Sequence, residues 1–218
     1  MEKKHPIIEK WENILNNDGE IIQEHFIFCG LIVLIFEQFK KFTIERVDGF
    51  FAKHVEIKNG HLSYDRGVKF KEFIKNRGKG ETGQHTNKDF RAAIHWFCDL
   101  GAITSEELNT TERMYNLRNK ISHELFRTLF EDDSIKLLDV LDLFCIYVKL
   151  CKWWIKNIEI ETDPDMTEEK YNKIDWDQVE SVEISMMRII IQKSLSNHEE
   201  WKNMSKILEE HEKNSTKQ

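Results

Sequence analysis

Turn-forming residues are scarce in this chain: among 218 residues there are only 2 Pro and 9 Gly. All-β folds need such residues at their many reversals, so their scarcity argues against sheets and predicts a soluble protein made mostly of helices. Long apolar runs are lacking too. The longest, FIFCGLIVLIF from Phe26 to Phe36, falls well short of the roughly 20 residues needed to span a bilayer, and so predicts a buried helix. MEKKHPIIEKWENIL at the start has charge but no apolar stretch before a small-residue cleavage site, which predicts a cytoplasmic protein. Cysteine is sparse: Cys29, Cys98, Cys145 and Cys151 lie in apolar surroundings and form no C-x-x-C pair, which argues against a disulfide framework or a structural zinc site and for reduced, packed thiols. His95 and Cys98 are spaced like a ligand pair, but AAIHWFCDL around them reads as a core face, so no metal and no cofactor is expected.

What is present in quantity is charge. The formal net charge is -7, which argues against a protein that coats nucleic acid non-specifically. The distribution is lopsided, however. Arg66, Lys69, Lys71, Lys75, Arg77 and Lys79 face a single acid, Glu72, in one segment, whereas Glu159 to Glu183 is strongly acidic with only Lys170 and Lys173 against it. Tyr64, Phe70 and Phe73 interleave with the basic residues, the pattern of a surface that holds phosphates and stacks bases; an amphipathic helix with its Phe residues in the core is the simpler account of the same pattern. GKGETGQHT in the following loop has the Gly spacing of a phosphate-binding loop, but Gln84 stands where the Lys must be, so that reading fails.

Periodicity predicts a short amphipathic helix from Pro6 to about Asn17, then one long helix from Glu20 to about Val47. VEIKNGHLSY alternates around Asn59-Gly60, which predicts a small hairpin. A polar loop from Arg77 to Lys88 precedes a helix from Asp89 to about Leu100, closed by Gly101. TSEE supplies a capping box in which Thr104 and Glu107 start a further helix at Ser105. Another long helix is expected from about Ser134 to Ile158, then two more at about Asp175–Ser196 and Glu199–Lys213, and a disordered tail. The expected architecture is all-α: an up-and-down bundle of four to five helices over residues 1–162 with an insertion at about 48–88, and an acidic helical extension over 163–218.

The helix from Ser105 carries YNLRNKISHELF, Tyr115 to Phe126. On an ideal helix Met114, Leu117, Ile121 and Leu125 form one core-facing stripe. Asn119 and His123 then stack on the outer face with Tyr115 and Ser122 beside them, and Arg118 lies at the boundary. Arg118 and His123 are about 140° apart around the axis at roughly 100° per residue, so either the helix is distorted near Ser122 or the Arg reaches around. Cleaving RNA without a metal requires a base for the 2′-hydroxyl, an acid for the leaving 5′-oxygen, and a cation for the charge on phosphorus. Histidine suits the first two tasks and arginine the third. One His cannot readily do both, but two copies of this face across a two-fold axis would supply two His and two Arg around one cleft.

RNKISH, Arg118 to His123, resembles the R-x4-6-H signature of the HEPN superfamily, including the polar residue after the Arg, here Asn119. Its setting is also similar, with an apolar helix before it, the LGAITSEE turn, and a long apolar helix after it. The resemblance implies a HEPN-like bundle that homodimerises with its motifs at the interface and cleaves RNA without metal, leaving a 2′,3′-cyclic phosphate. Such proteins are commonly toxins of toxin-antitoxin systems or antiviral, abortive-infection effectors. By carry-over Arg118 would stabilise the scissile phosphate, His123 would act as acid or base, and Asn119 would orient substrate or His. Lys120, with Lys69, Lys71, Lys75, Arg77 and Lys79, would contact RNA. An antitoxin or regulatory protein is a further expected partner, and the acidic extension, which the superfamily does not require, either is a solvated face, restrains activity, or docks that partner. Two blander readings stand beside the catalytic one. Arg118 and His123 could make only surface ion pairs, to Glu124 or Glu112, or the same dimeric bundle could be a non-catalytic module that binds a nucleotidyltransferase-like or regulatory partner.

Overall fold

The computed structural model describes residues 20–58, 61–66, 88–131 and 135–195, with Glu12, Val68 and Glu72. The helices expected at Pro6–Asn17 and Glu199–Lys213, the polar loop that begins at Arg77, and the tail lie outside the described residues. Within them the protein is all-α, a bundle of helices with one two-stranded ribbon. It divides into two compact units, Met1–Leu143 and Phe144–Gln218.

The first unit is built on helix α1, Glu20–Phe51, which runs a turn beyond the expected Val47. Phe28, Leu31, Ile32, Ile35, Phe36, Phe39 and Val47 recur at three- and four-residue steps and are all buried. Thr43 is also buried, and its hydroxyl donates to the Phe39 carbonyl at 2.7 Å, so this polar group carries no desolvation penalty. Strands β1, Ala52–Lys58, and β2, His61–Arg66, pair antiparallel with Val55 opposite Tyr64 and Ile57 opposite Leu62, the hairpin expected from the alternation. The register slips between Ala52 and His54, where the strand leaves the helix.

Helix α2, Lys88–Asp99, ends as its sequence demands. Gly101 adopts φ 73°, its amide donates to the Cys98 carbonyl at 3.0 Å, and the Ala102 amide donates to the Phe97 carbonyl at 3.0 Å. This pair of bonds is the Schellman termination, which needs a residue comfortable at positive φ. Helix α3, Ser105–Glu131, begins with the expected box: the Glu107 amide donates to Thr104 Oγ1 at 3.2 Å, and the Thr104 amide donates to Glu107 Oε2 at 2.7 Å.

α1 packs against α2 and α3, and α2 against α3. The contact is aromatic. Phe36, Phe39 and Phe90 meet edge to face at centroid distances of 5.4 to 6.3 Å. Tyr115 stacks on Phe90 at 6.3 Å and leans on Phe36 at 5.9 Å. Arg91 of α2 lies over the Tyr115 ring and forks onto the Glu112 carboxylate at 3.0 and 3.2 Å, which ties α2 to α3 beside the core.

Helix α4, Leu137–Trp154, is shorter than the span from Ser134 to Ile158 expected for it. It starts where the Lys136 amide donates to Asp139 Oδ2 at 2.9 Å, and it opens into a π-helical turn, Ile155–Glu159, where the Ile160 amide reaches back to the Ile155 carbonyl. In the second unit a short helix α5, Glu168–Asn172, precedes helix α6, Val182–Leu195. The helix expected from Asp175 therefore starts later. Asp175 closes a turn by accepting from the Asp177 amide at 3.1 Å, and Ser181 Oγ accepts from the Ile184 amide at 3.3 Å, making Ser181 the true N-cap. Ile184, Met187, Ile191 and Leu195 form the buried stripe of α6, while Val182, Met186 and Ile189 are exposed. The acids of this region face solvent except Glu180, which is half-buried and accepts from Arg188 and Ser185. All four cysteines are free thiols.

Candidate active site

α3 carries Arg118, Asn119 and His123, and its buried stripe differs from the one an ideal wheel suggests. Thr111, Met114, Tyr115 and Ile121 are buried, whereas Leu117 is half-buried and Leu125 is 39% exposed. Two expectations are thus corrected. Tyr115 does not stand on the outer face; the aromatic pocket of Phe36 and Phe90 takes its ring inward. Leu125 does not reach the core, because Glu124 leaves the helical region at φ -134°, ψ 39° and the kink rotates everything after it. The Thr128 hydroxyl donates to the Glu124 carbonyl at 2.9 Å, restoring a partner to the bent turn.

The corrected stripe puts Arg118 at its centre. Its side chain is only 23% exposed and points toward α1, where Nη2 forms an ion pair with Glu37 Oε1. Nη1 donates to Asn119 Oδ1 at 3.0 Å. Among the described residues Nε is buried without a hydrogen-bond partner, and Glu37 Oε1, although beside the guanidinium, accepts no hydrogen bond. The ion pairs suggested by sequence are made with other partners: Glu112 holds Arg91, and Glu124 lies 3.4 Å from Arg127.

His123 lies beyond Ile121 in a different environment. Ser122, His123, Glu124, Leu125, Phe126 and Arg127 are all exposed, and burial returns only at Thr128. These six positions bracket the kink at Glu124 and make this the most continuously exposed stretch of α3. Phe126 is 61% exposed. The structure therefore brings Arg118 and Asn119 together, and no hydrogen bond or ion pair among the described residues links either to His123. Lys120 is half-buried. Lys69, Lys71, Lys75, Arg77 and Lys79 lie outside the described residues.

Glu37 is the residue that sequence reasoning missed. Its signal was available: it is the first charge after the apolar run, and its neighbours Phe36 and Phe39 are fully buried. A carboxylate in that position calls for a cation. Which cation was not legible, since Arg118 is distant in sequence and joins it only when α1 and α3 pack. Comparison with family models, curated proteins and solved structures finds no match to this chain.

Proposed function

We propose that the protein is a HEPN-type endoribonuclease that cleaves RNA without a metal in a composite site formed by two copies of the chain. The observation that carries this reading is the exposed stretch 122–127, which carries His123 together with the apolar Leu125 and Phe126. An exposed segment of this composition fits a contact with a second copy better than contact with water, and a two-fold arrangement would set two His123 side chains against one another. In the reaction one imidazole takes the 2′-hydroxyl proton as the 2′-oxygen bonds to phosphorus. The other protonates the departing 5′-oxygen, and a 2′,3′-cyclic phosphate remains. Arg118, five residues before His123 on the same helix, would stabilise the charge on the phosphate oxygens, with Asn119 fixing its direction. A role as toxin or antiviral effector, held in check by an antitoxin or regulatory partner, would follow from such an activity.

Purified protein incubated with total RNA in EDTA tests this. The wild type is expected to cleave, leaving cyclic phosphate ends, and Arg118→Ala and His123→Ala to lose about 10²-fold or more while keeping their melting temperatures. The rival reading, a non-catalytic dimeric module that binds a partner protein, draws support from the inward pairing of Arg118 with Glu37. It predicts no cleavage by any of the three proteins.

A further inference from the structure

We infer that Glu37 is the positioning residue for Arg118, the group through which α1 sets where the phosphate-binding cation sits. This inference rests on the endoribonuclease reading.

Glu37 occupies an unusual place. α1 buries Phe36 and Phe39 on the neighbouring face, and although the Glu37 side chain keeps 39% exposure its Oε1 is buried against the Arg118 guanidinium. Lys40, one turn along α1, approaches the other oxygen only to 3.9 Å, so Arg118 is the nearer cation. A carboxylate retained at the edge of an aromatic core needs a compensating charge, and here that charge is the candidate catalytic arginine.

The geometry has a mechanistic consequence. A guanidinium has five N–H donors in a rigid plane. Asn119, on the same helix, fixes one end of the plane through Nη1, and Glu37, on a different helix, draws the other end through Nη2. Two anchors from two helices define an orientation that neither defines alone. They do not exhaust the donors: the side chain remains 23% exposed, and a guanidinium with five N–H groups keeps donors for a phosphate oxygen, which it meets in forked geometry. On this account Glu37 holds the arginine without consuming every donor that substrate requires. If Glu37 were instead a competitor for the guanidinium, its removal would release Arg118 toward RNA, and the effect on rate would have the opposite sign.

Single-turnover cleavage of total RNA in EDTA by the full chain, measured over a range of protein concentrations, separates these outcomes. Glu37→Ala is expected to lower the maximal rate about 10- to 100-fold, with the half-saturating concentration within about threefold of wild type, because misplacement affects the reacting geometry more than overall RNA binding. Glu37→Gln, which keeps the shape of the side chain but removes the charge that draws Nη2, is expected to be nearly as slow as Ala. An Ala variant as fast as wild type, or faster, overturns the inference while leaving the endoribonuclease reading intact. So does a Gln variant that melts like wild type and cleaves as fast; should Ala fail to fold, the Gln variant decides by losing or retaining the rate. A wild-type chain that never cleaves RNA removes the endoribonuclease reading itself, and the inference with it.

Discussion

At the scale of single residues the two units contain carboxylates whose environments act in opposite directions. Asp142 is pushed above its ordinary range chiefly by burial; Arg113 pulls it down, and neighbouring Asp139 pushes it up again. Arg113 is already committed to Asp139, with which it forms a close ion pair, and reaches Asp142 only at 3.4 Å. A raised carboxyl favours the folded state when protonated, and that contribution is lost as pH rises through the folded value. Asp142→Asn should therefore raise the melting temperature at pH 7, and the gain should vanish as pH falls below the unfolded carboxyl value of 3.8. Glu180 behaves in the reverse manner. Burial alone would raise it, but hydrogen bonds from Arg188 and Ser185, aided by the charges of Arg188 and Lys152, outweigh burial and leave it below the ordinary 4.5. Its stabilisation is present above the unfolded value and lost as pH falls through the folded one. Glu180→Gln should melt lower than wild type at pH 7, and the difference should close in acid; thermal melts of both variants at neutral and acid pH would check the signs. Cys29 belongs to the same scale, since burial pushes its thiol up to about 11, against a smaller backbone hydrogen-bond effect. It should resist alkylation in the folded chain at neutral pH and react once the chain is denatured.

At the scale of elements, the junction between α2 and α3 is the best-specified part of the fold. A Cβ built on Gly101 would meet nothing within 4 Å, so Gly101→Ala tests backbone conformation alone at φ 73°. It should destabilise by about 1 kcal/mol, as should Thr104→Ala through loss of the capping box. The two sites are close enough that the double variant is expected to depart from additivity, which denaturant melts of the three proteins would measure. This junction was legible in sequence because every group involved lies within a few residues of its partner. The same holds for the hairpin, whose alternation and Asn59-Gly60 are local signals. The buried face of α3 was not legible. A helical wheel assumes a straight helix and an apolar stripe, but α3 kinks at Glu124 and its stripe has an arginine at the centre. Tyr115 and Arg118 are drawn inward by α1 and α2, through Phe36, Phe90 and Glu37. Such partners are supplied by tertiary packing, and no window of sequence around the motif contains them. The boundaries of α6 failed for a simpler reason: Asp175 and Ser181 cap equally well and both precede residues with helical periodicity, but Asp175 is taken up in a turn with Asp177.

At the scale of the whole molecule, the proposed site joins two contrasting environments on one helix. Arg118 is held within the bundle, whereas His123, just past Ile121, stands in an exposed stretch. Among the described residues no acid or base is bonded to His123, and acid–base chemistry at both ends of a phosphodiester requires a second one. If a second copy supplies it, the apolar residues beside His123 must lie in the contact. Phe126 is the most exposed of them, which makes Phe126→Glu the informative change: it leaves the aromatic core untouched, keeps Arg118 and His123, and places two like charges near the two-fold axis. In light scattering at micromolar concentration, the wild type should have twice the mass of the chain and the variant the mass of one. RNA cleavage should fall at least about tenfold in parallel, since losing the partner removes one of the two imidazoles that general acid–base catalysis requires. A variant that remains dimeric, or a monomer that cleaves as fast as wild type, would show that the exposed stretch is not the seam of a composite site. Far-UV circular dichroism and an unchanged melting temperature would separate loss of assembly from loss of fold, because the substituted side chain contributes little to the interior of either unit.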